Sequence, residues 1–382
     1  MYEQTPAICS TTNIVWGVPD LSRTIMIMAG GTGGHVFPGL AVARTLQADG
    51  WRVVWLGTCN GMEATLVPQH GFAIELINFS GLRGKKLTSY LLLPWRLAKA
   101  CWQSLRILQR QRPQVVLGMG GYPALPGGIM AVLSGKPLLI HEQNRIAGLT
   151  NKILAKIARR ILLAFPGTIT NQADKTQVTG NPVRTEIAQL PPPEIRYAQR
   201  TGRLNILVVG GSLGAQALNT VLPQALRILP DDQRPFVIHQ SGKAHLATLQ
   251  QAYAEQGVTG HLVAFIEDMA ARYQDCDLVI CRAGALTISE LAAAGVASIL
   301  VPYPYAVDDH QTANARFLSE HNAAVLWPQS ELTAHSLAHW LMTCTRTQLQ
   351  AMAVNARSLA IPEAAQKVAE ACRQLSGHTH EA

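Results

Sequence analysis

The stretch Thr24-Ile-Met-Ile-Met-Ala-Gly-Gly-Thr-Gly-Gly-His35 decides the fold class of this chain. Its first six residues are apolar or β-branched and predict a short buried strand, and the glycines that follow predict a tight turn. Pro38 suits a first helical turn, and apolar residues continue at helical spacing as far as Leu46. The stretch therefore predicts a strand, a glycine turn and a helix, which is the repeating unit of parallel α/β sheets.

The same pattern occurs again in Leu204-Asn-Ile-Leu-Val-Val-Gly-Gly-Ser-Leu-Gly-Ala215, where Gly210 opens a turn 180 residues after Gly30 opens the first. Around both turns, short apolar runs alternate with helical patterns, and the Pro-rich residues 189–194 predict a linker. We therefore expect an α/β protein with two Rossmann-like, doubly wound parallel-sheet domains. Such sheets bind ligands at the carboxyl ends of their strands, where both glycine turns are predicted to lie.

The predicted strands between and after the two turns are 52–56, 73–78, 115–118, 137–141, 160–164, 235–240, 261–265, 278–281, 297–301 and 324–326.

The composition is that of a folded protein whose charge is unevenly distributed. Of the 382 residues, 48% are apolar and 15% are charged, which excludes intrinsic disorder because disordered chains combine low hydrophobicity with high charge. The seven cysteines are too scattered for a disulfide framework, and no apolar run predicts a membrane span. The formal net charge is +8, yet residues 76–141 alone carry nine Lys or Arg and no Asp or Glu. The remainder of the chain is therefore close to neutral, and we expect an anionic partner beside this region.

Bulky apolar side chains lie among those positive charges, between Tyr90 and Trp102. This combination is typical of docking on an anionic membrane surface. The predicted contacts are Lys85, Lys86, Leu91, Leu92, Trp95, Arg96 and Lys99. One alternative is a helix whose leucines face the core. A nucleic-acid surface is disfavoured because the region has few aromatic residues for stacking and no recognised motif.

The first glycine turn is a weak match to a dinucleotide fingerprint, because Val36 stands where a third Gly or Ala belongs and no acid follows the second strand. Four glycines at a helix start still let backbone N–H groups approach an anion or a sugar. The alternative is that they only make a tight turn. His35 lies at the mouth of this turn, where its imidazole could accept a proton or could serve as a helix-capping or packing residue.

Each of two further segments has both a functional and a structural interpretation. In the second glycine turn, Ser212 could meet a phosphate, act as a helix N-cap, or do both. After the strand 278–281, Glu290 could accept hydrogen bonds from the two hydroxyls of a ribose. Thr287 and Glu290 also have the spacing of a capping box, which is the structural alternative.

Other polar groups follow predicted strands. Residues 308–311 (Asp-Asp-His-Gln) could bind sugar hydroxyls or form a solvated loop, and residues 141–144 (His-Glu-Gln-Asn) are expected at the same edge of a sheet. Asp275-Cys-Asp277 resembles the D-x-D metal motif of one class of glycosyltransferases, but three residues are a weak match and we predict no metal site.

These motifs together resemble the MurG family of N-acetylglucosaminyltransferases. The resemblance begins with Gly30-Gly-Thr-Gly-Gly-His-Val-Phe-Pro-Gly-Leu-Ala-Val-Ala43 and covers roughly residues 24–375. It continues through Ser80-Gly-Leu-Arg-Gly-Lys85, Leu117-Gly-Met-Gly-Gly-Tyr122, His141-Glu-Gln-Asn144, Gly180-Asn-Pro-Val-Arg-Thr185, Phe265-Ile-Glu-Asp-Met269 and Ala285-Leu-Thr-Ile-Ser-Glu290. So many motifs in the same order make a chance match very improbable.

The resemblance implies a GT-B fold, in which two Rossmann-like domains face each other across a cleft. Residues 1–23 would be a poorly ordered extension. Residues 24–184, joined by a C-terminal helix at about 362–382, would form an acceptor- and membrane-binding domain. Residues 185–361 would bind the donor, UDP-GlcNAc.

The implied reaction moves GlcNAc from UDP-GlcNAc to the MurNAc C4 hydroxyl of lipid I, with inversion and without a cofactor or metal. The residues carried over to donor binding are Thr32, Gly33, Gly34, Asn144, Arg184, Ser212, Ile266, Ala285, Leu286, Thr287, Ile288, Ser289, Glu290 and Gln311. His35 is the first choice for the base that accepts the hydroxyl proton. His310 is the alternative to Gln311 as the sugar contact, and the first glycine turn could serve the acceptor diphosphate instead of the donor.

The implied location is peripheral, on the cytoplasmic face of the bacterial inner membrane. The implied partners are UDP-GlcNAc, lipid I, the anionic membrane surface and proteins of cell-wall synthesis and division, with no nucleic acid. Two rivals stay open at this point. One is another nucleotide-sugar enzyme of the same architecture, such as a UDP-GlcNAc epimerase, and the other is a nucleotide-sugar-binding regulator without turnover.

Overall fold

The computed structural model describes residues 23–79, 92–211 and 214–377. By their internal contacts these residues divide into two compact units. Unit 1 contains the described residues through His141, Leu149–Ile161 and those from Ala369 onward. Unit 2 contains Glu142–Gly148 and Leu162–Val368. The sequence-based domain limits at 184 and 361 stay a prediction.

Strands and helices alternate along the first part of the chain. Its elements are β1 (Thr24–Ala29), α1 (Gly33–Ala48), β2 (Arg52–Thr58), α2 (Glu63–Gln69), β3 (Ala73–Ile77), α3 (Leu93–Gln111), β4 (Val115–Gly120), α4 (Ala124–Leu133), β5 (Leu138–Glu142), α5 (Leu149–Leu154), β6 (Arg160–Leu163) and β7 (Thr176–Val178). Within the described residues these strands form a seven-stranded sheet in the order β3-β2-β1-β4-β5-β6-β7.

The second part repeats the alternation. Its elements are α6 (Thr185–Ala188), α7 (Pro193–Ala198), β8 (Asn205–Val209), α8 (Gln216–Ile228), β9 (Phe236–Gln240), α9 (Leu246–Gln256), β10 (His261–Val263), α10 (Met269–Asp275), β11 (Leu278–Cys281), α11 (Ala285–Ala294), β12 (Ser298–Leu300), α12 (His310–Ser319), β13 (Val325–Leu326), α13 (Ala334–Thr343), α14 (Arg346–Ser358) and α15 (Ala364–Gly377). Six described strands form the second sheet, in the order β10-β9-β8-β11-β12-β13.

The strands pair in parallel, as their continuous apolar sequences predict. In the first sheet, Ile27 of β1 lies between Trp55 of β2 and Leu117 of β4. In the second, Val208 of β8 lies between His239 of β9 and Ile280 of β11. All six residues of β1 are buried, because helices cover a doubly wound sheet on both faces. The predicted fold class, two doubly wound α/β sheets, is confirmed.

The first glycine turn and Gly210, which opens the second, follow strands at which the strand order reverses. In the first sheet β1 stands between β2 and β4, and in the second β8 stands between β9 and β11. Ligands of open α/β sheets bind outside the carboxyl ends of the strands at this reversal. The fold therefore brings each glycine turn to the edge where its sheet is best suited to bind a ligand.

The core of unit 2 consists of two apolar clusters. One contains Phe165, Tyr273, Ile288 and Leu318, and the other contains Val208, Leu222, Tyr253 and Leu337. Some helices of unit 2 are capped by local side-chain hydrogen bonds. For example, Thr345 and Gln348 form a capping box at the start of α14. Among the described residues, no helix is both long enough and apolar enough to cross a bilayer.

Candidate active site

The first glycine turn leads directly into α1, and Pro38 lies inside this helix, not in its first turn as predicted. Thr32 is the extended N-cap residue, and α1 begins at Gly33. The preceding residue, Gly31, has φ +90°, in the left-handed region that favours glycine. The N–H groups of Gly33 and Gly34 therefore belong to the first helical turn, whose amides have no partner within the helix. They are suited to donate hydrogen bonds to a ligand at this edge.

His35 is the third residue of α1 and is half-buried. Its imidazole packs over Gly120, the last residue of β4, where a Cβ would lie 2.9 Å from Cε1 and Nδ1. Thr32, not His35, holds the N-cap position of α1. The imidazole is therefore held at the carboxyl edge by the backbone of the neighbouring strand, as a base at this edge would require.

A residue that the sequence did not single out, Glu63, lies directly behind this turn. It is the first residue of α2 and is fully buried. Its Oε1 accepts hydrogen bonds from the Thr58 backbone N–H at 2.9 Å and from the Thr58 hydroxyl at 2.7 Å. Its Oε2 accepts one from the Gly31 N–H at 3.1 Å. The Gly31 amide is therefore already occupied by a carboxylate.

In unit 2, Glu290 lies on α11, which follows β11 at the reversal point of the sheet. The N-cap of α11 is Gly284, without a side-chain cap bond, and Thr287 is the third helical residue. The capping-box alternative for Thr287 and Glu290 is therefore wrong. The Glu290 carboxylate therefore does not cap this helix.

That carboxylate has two side-chain partners. The Arg184 guanidinium donates to Oε1 through Nε at 3.1 Å and Nη2 at 2.8 Å. The hydroxyl of Tyr273, which the sequence had not indicated, donates to Oε2 at 3.3 Å. Burial raises the pKa of Glu290, while Arg184 and Tyr273 oppose that rise. Burial also raises the pKa of Tyr273 well above its usual value, so the phenol stays protonated and continues to donate.

The other residues of the run 285–290 differ in exposure. Ile288 is fully buried in the apolar cluster and Ala285 is nearly so. Leu286, Thr287 and Ser289 are half-buried, and the Ser289 hydroxyl donates to the Ala285 carbonyl at 3.0 Å. Since Ile288 has no exposed surface, its contact with the donor stays a prediction.

Asn144 is held at both ends of its side-chain amide. Its backbone N–H and Nδ2 donate to Oε1 of Glu142, at 2.9 and 3.3 Å. Its Oδ1 accepts from Nδ2 of Asn314, a fully buried residue of α12, at 3.2 Å. Glu142 and Asn314 therefore fix the orientation of Asn144. Asn314 was not foreseen, because a polar residue inside a helical pattern gives no signal of its own.

The remaining predicted donor contacts are scattered over loops and helix starts. Ile266 is half-buried in the segment between β10 and α10. Gln311 is the second residue of α12, next to His310, and its Oε1 accepts from the Tyr303 N–H at 2.9 Å. Ser212 lies outside the described residues, but the N-cap of α8 is Ala215, so the N-cap alternative for Ser212 is wrong. The choice between Gln311 and His310 as the sugar contact stays a prediction.

The D-x-D segment serves a structural purpose. Asp277 is fully buried, and its carboxylate accepts from Arg200 and Arg346, each at 3.1 Å, and from the Asn205 N–H at 2.8 Å. Since Asp277 precedes β11, this network lies at the amino end of that strand, whereas Glu290 follows its carboxyl end. Asp277 therefore ties sequence-distant segments of unit 2 together.

Helix α3 presents part of the predicted membrane surface. Its buried side comprises Ala100, Ser104, Ile107 and Leu108. On the outside, the exposed fraction is 51% for Leu92 and 74% for Trp95, so the core-facing alternative is wrong for Leu92. Lys99 is exposed and Arg96 is half-buried, while Lys85, Lys86 and Leu91 lie outside the described residues. The described part of this surface thus combines apolar and cationic side chains.

Comparison with known proteins matches both parts of the chain to one family. Residues 25–163 match the glycosyltransferase family 28 N-terminal domain, and residues 205–373 match its C-terminal domain. Two relatives carry the name UDP-N-acetylglucosamine–N-acetylmuramyl-(pentapeptide) pyrophosphoryl-undecaprenol N-acetylglucosamine transferase. The protein from Nitrosomonas eutropha is 86% identical over 92% of this chain and 99% of its own length. The protein from Nitrosomonas europaea is 84% identical over 94% of this chain and 100% of its own length.

A solved structure agrees with these matches. The crystal structure of Acinetobacter baumannii MurG superimposes with a TM-score of 0.79 and 43% sequence identity. The superposition covers 92% of this chain and 99% of that one. The chain therefore belongs to glycosyltransferase family 28 and, within it, to the MurG transferases.

Proposed function

We propose that this protein transfers GlcNAc from UDP-GlcNAc to lipid I, undecaprenyl-diphospho-MurNAc-pentapeptide, and so makes lipid II for peptidoglycan synthesis. The observation that carries the proposal is the 86% identity to the Nitrosomonas eutropha protein, which is named for this transfer, over 99% of that protein's length. The geometry of unit 2 supports it. A carboxylate at the reversal point of the sheet, Glu290, offers two oxygens to the vicinal hydroxyls of a ribose.

The reaction is a direct displacement with inversion. The MurNAc C4 oxygen attacks the anomeric carbon of GlcNAc, the bond from that carbon to the UDP oxygen breaks, and the C4 hydroxyl proton passes to His35. Arg184, together with Ser212 and helix N-termini, stabilises the charge that develops on the leaving diphosphate. His35 suits the base role because it lies at the carboxyl edge of the first sheet, held against Gly120.

The protein would work at the cytoplasmic face of the inner membrane, held there peripherally. Leu92 and Trp95 would enter the headgroup region while Lys99 and Arg96 meet anionic lipid. The acceptor lies in that membrane, so this surface would keep the enzyme at its substrate.

A transfer assay with UDP-GlcNAc and a lipid I analogue tests the function. We expect GlcNAc to appear on the acceptor. Folded protein that forms no such product would refute the proposal, and conversion of UDP-GlcNAc without an acceptor would favour the epimerase alternative.

The His35→Ala variant tests the base. We expect kcat to fall about 100-fold, the usual range for loss of a general base, with little change in the KM for UDP-GlcNAc. His339→Ala, on an exposed position of α13, is the matched control and should keep normal turnover. Near-normal turnover of His35→Ala would remove His35 from the base role.

A further inference from the structure

The environment of Glu63 is unusual for a buried carboxylate. Removing a charged carboxylate from water is costly unless the group is paired or fully hydrogen-bonded. Yet none of the ion pairs among the described residues includes Glu63. Its three partners are two backbone N–H groups and one hydroxyl, from Thr58 and Gly31. The donors therefore belong to the two segments that the carboxylate connects, the end of β2 and the first glycine turn.

Three glycines from three segments make room for this side chain. A Cβ at Gly30 or at Gly61 would fall well inside van der Waals contact with the carboxylate oxygens, and a Cβ at Gly57 would lie 2.7 Å from Cγ of Glu63. None of these three positions has a positive φ, so a left-handed backbone is not what requires glycine there. Gly30, Gly57 and Gly61 are therefore required for the space that Glu63 occupies.

A short chain of contacts leads from Glu63 to His35. The carboxylate bonds to the Gly31 N–H, and the Gly30 carbonyl packs so closely on Gly121 that a Cβ there would clash with it. The residue before, Gly120, packs directly under the imidazole of His35. A shift of the glycine turn would consequently move both the start of α1 and the strand end that supports His35.

We infer that Glu63 is a positioning residue for the transfer reaction: its buried carboxylate fixes the first glycine turn, and with it His35, and so governs the chemical step rather than donor binding. This inference rests on the proposed function, because it needs His35 to act on the acceptor hydroxyl. Glu63 is fully buried, so it acts through the glycine turn and not on a substrate directly. Its role differs from that of Glu290, which is assigned to the donor.

The central test is Glu63→Gln, which keeps the size of the side chain but places an amide N–H₂ against a group that itself donates. We expect kcat to fall about 30-fold, since small misplacements of a catalytic group are costly, while the KM for UDP-GlcNAc changes by less than about twofold. Amide hydrogen exchange in the peptide around Gly31 should accelerate about 10-fold, because its hydrogen-bond acceptor is weakened.

A second variant reaches the same carboxylate by another route. Gly61→Ala would drive a methyl group into both oxygens of Glu63 and should reproduce the loss of kcat. Its matched control is Gly377→Ala, since a Cβ at Gly377 meets no atom within 4 Å. Asp277→Asn, which weakens a buried carboxylate network in unit 2, controls for lost stability and should keep kcat within about twofold of wild type.

The inference fails if folded Glu63→Gln and Gly61→Ala both retain kcat within about twofold of wild type, or if Asp277→Asn at equal thermal stability loses as much activity. If Glu63→Gln does not fold, Gly61→Ala decides. If the wild-type protein itself transfers no GlcNAc, the proposed function fails. Hydrogen exchange at Gly31 would then still show separately whether Glu63 fixes the turn.

Discussion

Glu63 and Glu290 are both buried carboxylates near the reversal point of a parallel sheet, one in each unit, yet they are held in opposite ways. Glu63 is bound by backbone N–H groups and a threonine hydroxyl that belong to the segments it joins. Glu290 is bound by the side chains of Arg184 and Tyr273. Backbone donors cannot leave without moving the chain, whereas side-chain partners can rotate away. The comparison suggests that the first carboxylate shapes a site and the second binds a ligand.

The comparison also bears on which ligand each turn suits. A buried carboxylate behind the first glycine turn occupies the Gly31 amide and adds negative charge there. Diphosphate binding at that amide is therefore disfavoured. In unit 2 the Arg184 guanidinium, 34% exposed, supplies positive charge beside Glu290. Whether the first glycine turn serves the donor or the acceptor stays a prediction.

The largest effect should come from Glu290→Ala. Hydrogen bonds to a charged group contribute about 1.5–3 kcal/mol each, so losing both ribose contacts should lower kcat/KM for UDP-GlcNAc about 300-fold. The measurement is the initial rate against donor concentration. A donor lacking the ribose 2′ hydroxyl is the control, since the variant should no longer distinguish it from UDP-GlcNAc. Retained discrimination would mean that both carboxylates shape their sites and that the contrast with Glu63 is false.

The next effect concerns the outer surface of unit 1. Replacing Leu92 and Trp95 by Glu should weaken binding to anionic vesicles about 30-fold, because two apolar side chains lose their burial in the interface. Vesicle sedimentation measures this, and turnover of a soluble acceptor analogue should survive. Ile195→Glu, with 63% of Ile195 exposed in unit 2, is the matched control. An equal loss of vesicle binding in Ile195→Glu would show that the Leu92 and Trp95 surface has no special part in membrane binding.

A third test concerns the stability of unit 2 on acidification. Burial lowers the pKa of His239 in unit 2 from 6.5 to about 3. Between those values the unfolded chain binds a proton that the folded chain does not, so stability falls as pH drops below about 6.5. The slope from this group reaches about 1.4 kcal/mol per pH unit.

Thermal unfolding followed between pH 7.5 and 5 measures this dependence. The His239→Gln variant should be less stable at neutral pH, because it disturbs bonds to Asn219 and Tyr253, but its stability should change less with pH. If the stability of the variant and of the wild type changed equally with pH, His239 would not be the source of the pH dependence.

The smallest effect should come from Tyr273→Phe. Loss of one hydrogen bond to Oε2 of Glu290 should raise the KM for UDP-GlcNAc about fivefold, corresponding to about 1 kcal/mol, with kcat nearly unchanged. Tyr253→Phe removes a buried phenol of unit 2 that bonds to His239 instead, so it should leave KM unaltered. An unchanged KM in Tyr273→Phe would mean that Arg184 alone orients Glu290.

Most of the fold could be predicted from the sequence because apolar runs bounded by glycine mark buried parallel strands. The boundaries of β1 and β11 match the prediction, and the others differ by one or two residues. The exception is β7, three residues long, where Gln177 interrupts any apolar run. Its pairing depends on its neighbour in the sheet rather than on its own sequence.

The candidate site was less predictable, since hydrogen-bond partners that are distant in sequence leave no local pattern. Glu290 was identified, but its relation to Thr287 was misread because spacing alone does not locate the N-cap at Gly284. Tyr273 was not identified because a buried aromatic residue is typical of the core. Glu63 bonds to Gly31, 32 positions away. The only related signal in the sequence is the pair of glycines at 57 and 61, which resemble ordinary turn residues.

The discontinuity of unit 1 has a consequence for biosynthesis. The described residues from Ala369 cluster with the first strands of the chain, where Arg373 pairs with Asp49, and Cys372 is fully buried. Unit 2 likewise needs Arg346 to complete the bonds of Asp277. Unit 1 therefore lacks some of its contacts until the residues from Ala369 onward have been synthesised, and unit 2 until Arg346 has been. Removing the residues from Ala369 onward should therefore impair unit 1, whose other residues come from the first part of the chain.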